Sequence, residues 1–267
     1  MAKKKSLIKK LIGLSFLLLA AFVVFHFIYP DVSKLKKENP KKSAFMEYRE
    51  AEWAREGKKY KIRQIWVPYC AISPYLIKAV LIGEDDKFWQ HEGFDYEAMQ
   101  KAIEKDIKAK KFKLGGSTIS QQLAKNLYLS PSKNPVRKIR EAVITWRMER
   151  TLSKKRLLEL YLNVAEWGDA GIFGIEAASR HYYGKAASAL GPEEASRLAA
   201  VLPNPRKFNP LGNSRYVVNR AGLIYNIMVR RGIVVPEFDE VEKNNPAMQE
   251  EKGGLSVLPI EETKPSQ

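Results

Sequence analysis

Glu84, Asp85 and Asp86 open the run EDDKFWQHEGFD at residues 84–95, which also carries Phe88 and His91. Glu84 follows an apolar stretch, so its carboxylate is expected at the edge of a core. Partial burial there, with Asp85 and Asp86 beside it, raises a carboxylate's pKa and suits it to general base or acid work. Read alone, the same residues equally make a solvated acidic turn with helix-capping duties. A second run, GGSTISQQLAKN at 115–126, sets two glycines before the amides of a helix N-terminus, a natural place for an anion. Its Thr118, Gln122, Lys125 and Asn126 recur at helical spacing on one face, while Ile119, Leu123 and Leu127 share another. A face of hydroxyl, amide and ammonium groups suits a sugar diphosphate, although an ordinary well-capped amphipathic helix shows the same spacing. It is not a nucleotide-binding P-loop, because the lysine lies well inside the helix. A third run, RKIRE at 137–141, places Arg137 and Glu141 one helical turn apart, where they can pair. The fourth, LLELYLN at 157–163 with Gly171 and Gly174 beyond it, reads by itself as helix-and-loop architecture.

Helices must position these residues. Ser73-Pro74 reads as an N-cap with proline at the first helical position, and Leu76, Ile77, Val80 and Leu81 then make one apolar face. Asp95 caps a segment with Met99, Ala102, Ile103 and Ile107 on one stripe. Thr118 and Gln121 have the spacing of a capping box. Asn134-Pro135 opens a further helix with Val136, Ile139, Val143 and Trp146 expected inward, and Ser153, Pro192 and Ser214 begin three more. No strand-like alternation stands out, so the expected class is mainly α.

The 267 residues are 45% hydrophobic, enough for one sizeable core, and the formal net charge of +16 favours anionic partners: lipid headgroups, nucleic acid or a phosphorylated substrate. One cysteine, Cys70, excludes an intrachain disulfide, and three histidines are too few and scattered for a zinc site. Residues 1–10 read as a basic cytoplasmic tail. Residues 11–29, LIGLSFLLLAAFVVFHFIY, have the length and apolarity of a transmembrane anchor, and bulky residues stand where a signal-peptide cleavage site needs small ones. Residues 30–43 read as a polar linker, 44–232 as the functional domain, and the Pro-rich acidic stretch 233–267 as a loosely ordered tail.

Together, in this order, the four runs resemble the peptidoglycan glycosyltransferases of bacterial cell-wall synthesis, whose motifs are ED-x-x-F-x-x-H-x-G, GGST-x-x-QQ-x-x-KN, RK-x-x-E and YLN. The resemblance continues through YYGK around Tyr183 and LAAVLPNP ending at Pro205, and covers roughly 44–231. No SxxK, SxN or KTG set of a penicillin-binding transpeptidase is present, so the chain resembles the monofunctional form. The resemblance implies a lysozyme-like helical domain and a reaction between two lipid-linked substrates, releasing polyprenyl diphosphate with inversion. It implies Glu84 as catalytic base and Glu141 as a second working carboxylate. Asp85, Phe88, His91, Gly116, Ser117, Thr118, Gln122, Lys125, Asn126, Lys133 and Arg137 would then form the substrate-binding set. Lys133 stands where the family often has arginine, which keeps the charge and loses the bidentate fork.

Diphosphate is already a good leaving group and wants cations rather than a proton donor, which separates this chemistry from glycoside hydrolysis. No cofactor is obligatory; a divalent cation, Mg or Mn, is compatible with the diphosphate, and no metal-ligand set is assigned. The expected partners are the lipid-linked disaccharide-peptide, the growing glycan strand and membrane lipid, with other cell-wall synthesis or division proteins left open and nucleic acid not expected. The expected location is the cytoplasmic (inner) membrane, single-pass, with the catalytic domain on the periplasmic or extracytoplasmic side. Two rivals make different demands. A lysozyme-like glycan-cleaving enzyme needs no lipid-linked substrate, and a non-catalytic tethered binding protein would survive loss of Glu84.

Overall fold

A computed structural model describes residues 13–17, 29–109, 116–131 and 134–235. The chain divides into two compact units, 1–225 and 226–267. In the first, the helices are α1 (Ala44–Arg55), α2 (Pro74–Glu84), α3 (Tyr96–Ala109), α4 (Ile119–Tyr128), α5 (Pro135–Thr151), α6 (Lys154–Val164), α7 (Ile175–Tyr183) and α8 (Pro192–Val201). Among the described residues the last helix, α9 (Arg215–Arg230), begins in the first unit and ends in the second. The described strands are a two-residue parallel pair, β1 (Arg63–Gln64) on β2 (Ile172–Phe173), so the class is mainly α as expected.

Local chemistry accounts for most helix starts. Thr118 and Gln121 make the capping box: the Thr118 hydroxyl accepts from the Gln121 amide at 3.2 Å and the Gln121 side chain accepts from the Thr118 amide at 3.0 Å. Asp95, Asn134, Ser153 and Ser214 each accept a first-turn backbone N–H at the start of α3, α5, α6 and α9. Ser73 differs. Its hydroxyl makes no cap and instead donates to the Leu190 carbonyl at 2.7 Å, tying the start of α2 to the segment before α8.

The core lies around α2 and α4. The former packs on α8, and its expected face of Leu76, Ile77, Val80 and Leu81 is buried. The latter packs on α5 and α6 and buries Ile119, Leu123 and Leu127. Helix α5 corrects the sequence reading. Val136, Ile139 and Trp146, expected inward, are 51%, 66% and 44% exposed, and Val143 is only partly buried. The inward face is Glu141, Ile144, Thr145 and Met148. A buried carboxylate and hydroxyl hold that face inward, so the apolar stripe did not mark it.

Within the segment read as a linker, Val32–Lys36 forms a 3-10 turn with Val32 and Leu35 buried. Arg156 on α6 donates to the carbonyls of Leu35 and Glu38 and to Asn39 Oδ1, fastening this segment to the domain. Of the expected anchor, residues 13–17 are helical and the rest, apart from Tyr29, lies outside the described residues. No helix among the described residues is long and apolar enough to cross a membrane. Lys133, Gly115 and nearly all of the expected tail also lie outside them.

Candidate active site

Glu84 is the last residue of α2, where the helix runs out beside a cavity of about 690 Å³. The side chain is only 9% exposed, and both carboxylate oxygens are held. Oε2 accepts from Gln122 Nε2 at 3.0 Å, and Oε1 accepts from Arg220 Nη2 at 3.2 Å. Arg220 also donates to the Gly83 carbonyl at 2.7 Å, one of the acceptors left open by the end of α2. A Cβ on Gly83 would stand 3.2 Å from Ile224 of α9, so glycine gives α9, and with it Arg220, room to approach. Burial pushes the Glu84 carboxyl above its ordinary range, while the Gln122 hydrogen bond, the Arg220 charge and the Lys125 charge pull it back. The cause is burial rather than the acidic neighbours.

Asp85, next in sequence, points elsewhere. Its carboxylate takes His91 Nε2 at 2.9 Å and the backbone N–H of Ile119 at 2.8 Å, the first residue of α4. The His91 Nδ1 accepts from the Gly93 amide at 3.1 Å, which leaves Nε2 as the donor to Asp85. Gly93 sits at φ +93°, and its carbonyl accepts the Thr118 hydroxyl at 2.7 Å. Phe88 is fully buried, edge-on to His91. These residues therefore fasten the loop after α2 to the N-terminus of α4. Asp85 and Thr118 still line the cavity; Phe88 and His91 do not.

On α4, Gln122 and Lys125 line the large cavity and a smaller one of about 190 Å³, which Asn126 also lines. The two cavities share Leu202 and Pro203 as well, so the cleft continues across α4. Burial pushes the Lys125 ammonium pKa down, Glu141 pulls it up, and the neighbouring Arg137 and Lys138 push it down further. Gly116 and Ser117 line the large cavity. A Cβ on Gly116 would meet Ala102 at 3.3 Å and the Ala98 carbonyl at 3.5 Å, so the close approach there is to α3.

Glu141 is 2% exposed and lies deeper. It accepts from Arg137 Nη1 at 2.7 Å and is ion-paired with Lys138, whose ammonium also donates to Ser117 Oγ at 3.2 Å. Neither Arg137 nor Glu141 lines the large cavity. The cluster therefore sets three cations, Lys125, Arg137 and Lys138, around one buried carboxylate behind Ser117, with an excess of positive charge. Among the described residues no three His, Cys, Asp or Glu side chains converge on a metal position.

Sequence reasoning passed over three participants. Lys138 was visible as the neighbour of Arg137 in RKIRE. Tyr161 was visible in YLN, where nothing local marked its hydroxyl, which donates to Gln122 Oε1 at 3.1 Å. Arg220 had no local signal: it lies 136 residues from Glu84 in sequence.

A family model described as Transglycosylase matches residues 51–229. A biosynthetic peptidoglycan transglycosylase of Nitrosospira multiformis is 45% identical over 218 residues, covering 82% of this chain and 94% of that one. Proteins of the same description from Dechloromonas aromatica and Aromatoleum aromaticum are 53% identical over 171 residues and 52% over 192, covering 64% and 72% of this chain and 74% and 83% of theirs. With the family model spanning more than half of its length and these relatives matching across the helices that build the cleft, the chain belongs to the transglycosylase family.

Proposed function

We propose that the protein is a peptidoglycan glycosyltransferase that polymerises glycan strands, transferring a growing lipid-diphosphate-linked glycan onto a sugar hydroxyl of a lipid-linked disaccharide-peptide. The observation that carries this reading is Glu84, buried at the wall of the cleft and held at both oxygens, with an excess of cations nearby. The acceptor hydroxyl attacks the anomeric carbon from the face opposite the diphosphate, so the configuration inverts. Glu84 accepts the hydroxyl proton, and its raised pKa suits that task because a base works best near the operating pH. The departing diphosphate gains charge in the transition state. Lys125, with Lys138 and Arg137 behind Ser117, supplies positive charge to meet it without donating a proton. Residues 11–29 would anchor the chain in the membrane that holds the lipid tails of both substrates, with the catalytic domain outside the cytoplasm.

Purified full-length protein incubated with lipid-linked disaccharide-peptide, followed by sizing of the products, tests this. Polymer is expected, and Glu84→Gln should slow its formation by about 100- to 10,000-fold without unfolding the protein. Near-full turnover in Glu84→Gln, or cleavage of finished wall without polymer, would overturn the reading.

A further inference from the structure

The YLN run holds a residue whose hydroxyl neither capping nor core packing explains. Tyr161 on α6 is completely buried, yet its hydroxyl is used: it donates to Gln122 Oε1 at 3.1 Å. The other end of that amide has two acceptors around it. Gln122 Nε2 donates to Glu84 Oε2 at 3.0 Å and reaches the Ser117 carbonyl at 3.4 Å. An amide NH₂ can serve two acceptors but cannot accept, and the carbonyl end can accept but cannot donate. Only one orientation of the Gln122 amide satisfies all three neighbours: the Ser117 carbonyl and an ionised Glu84 can only accept, which places the NH₂ on their side, and the Tyr161 O–H completes the arrangement by donating to the carbonyl end.

We propose that Tyr161 is a positioning residue for the reaction, acting through Gln122: its hydroxyl holds the amide so that an N–H, and not a carbonyl oxygen, faces the base Glu84. This rests on the reading of Glu84 as the base. An N–H on Oε2 favours the ionised carboxylate that can accept a proton. A flipped amide would put a carbonyl oxygen there, and only a protonated Glu84 could satisfy it. The phenol remains a donor across the working pH range, because burial and the nearby Glu84 and Asp85 charges push its pKa well up. The other charged groups around Glu84 are Arg220 from α9, Lys125 from α4 and Asp85 and Asp86 after α2. Lys87, Asp95, Glu97 and Lys101 line the same cavity. None of these depends on the Tyr161 hydroxyl, so its removal isolates one interaction.

The test is the pH dependence of kcat/KM for Tyr161→Phe on lipid-linked disaccharide-peptide, since its acid limb reports the base in the free enzyme. The variant keeps the ring and loses only the hydroxyl. The acid limb should move to higher pH by about half a unit to one unit, cutting kcat/KM about three- to tenfold below the limb and sparing it well above. In a Gln122→Ala background the same substitution should do nothing further. An unmoved limb with a lowered Tm alone overturns the proposal, because Tyr161 is then only packing. An effect of equal size in the Gln122→Ala background overturns it too, because Tyr161 then acts by another route. Glu84→Gln, measured alongside, separates the two failures: its activity tests the base, whatever Tyr161 does.

Discussion

At the scale of the residue, the site trades stability for chemistry. Burial raises the Glu84 pKa, so the folded state binds its proton more tightly than the unfolded chain does. The sign follows from linkage. The favourable contribution is present below the unfolded pKa and is lost as pH rises through the folded one. Glu84→Gln should therefore gain Tm relative to the parent as pH rises above the ordinary carboxylate value of about 4.3, while losing polymerisation. Thermal melts of both proteins at a series of pH values from below that point upward check it, and a constant difference would contradict it. Lys125 has the mirror-image position: burial lowers its pKa, so its ammonium is held at a cost in the absence of an anion. Lys125→Ala should reduce kcat/KM about 10- to 150-fold, the value of a charge-assisted contact of about 1.5–3 kcal/mol, with little loss of Tm. Lys78→Ala, at an exposed position on α2 that lines neither cavity, is the control and should change kcat/KM little.

At the scale of the element, α4 is the platform, and its N-terminus is fixed from two directions. Thr118 and Gln121 cap it from within, and Asp85 caps it from the loop after α2. A negative carboxylate at a helix N-terminus is favourable in itself, and here it also sets the distance between Glu84 and the helix bearing Gln122 and Lys125. Asp85→Ala removes a buried acceptor from both His91 and the Ile119 amide. It should cost about 1–3 kcal/mol of stability and lower kcat as well, because α4 loses its tie to the base. Denaturant titration together with kcat per folded molecule measures both; a stability loss with unchanged turnover would make Asp85 purely structural.

At the scale of the whole molecule, the proposed anchor precedes a domain that meets lipid-linked substrate, and the +16 charge suits a surface working beside anionic headgroups and diphosphates. Protease added to spheroplasts should remove the region 44–232. Protection of that region with the cytoplasm intact would reverse the topology.

Much of this was legible in the sequence because it is short-range. Caps at Asp95, Thr118, Asn134, Ser153 and Ser214, the buried faces of α2 and α4, and the Arg137–Glu141 pair depend on residues within a turn or two of one another. The class followed from them, and the proposal of Glu84 as base followed from the resemblance that the four runs carry in order. What lay beyond the sequence is long-range or inverted. The apolar stripe of α5 misled because Glu141 and Thr145 are buried and satisfied, and a satisfied polar group can face inward as readily as an apolar one. Asp85 looked like part of the acid cluster acting on Glu84. Only packing turned it towards His91 and the Ile119 amide, 34 residues on. Tyr161 lies 39 residues from Gln122, and Arg220 lies 136 from Glu84. The sequence by itself determined which residues could do the chemistry. Tertiary packing alone decided which donors meet each oxygen of Glu84, because a hydrogen bond between elements has no period or spacing along the chain to betray it.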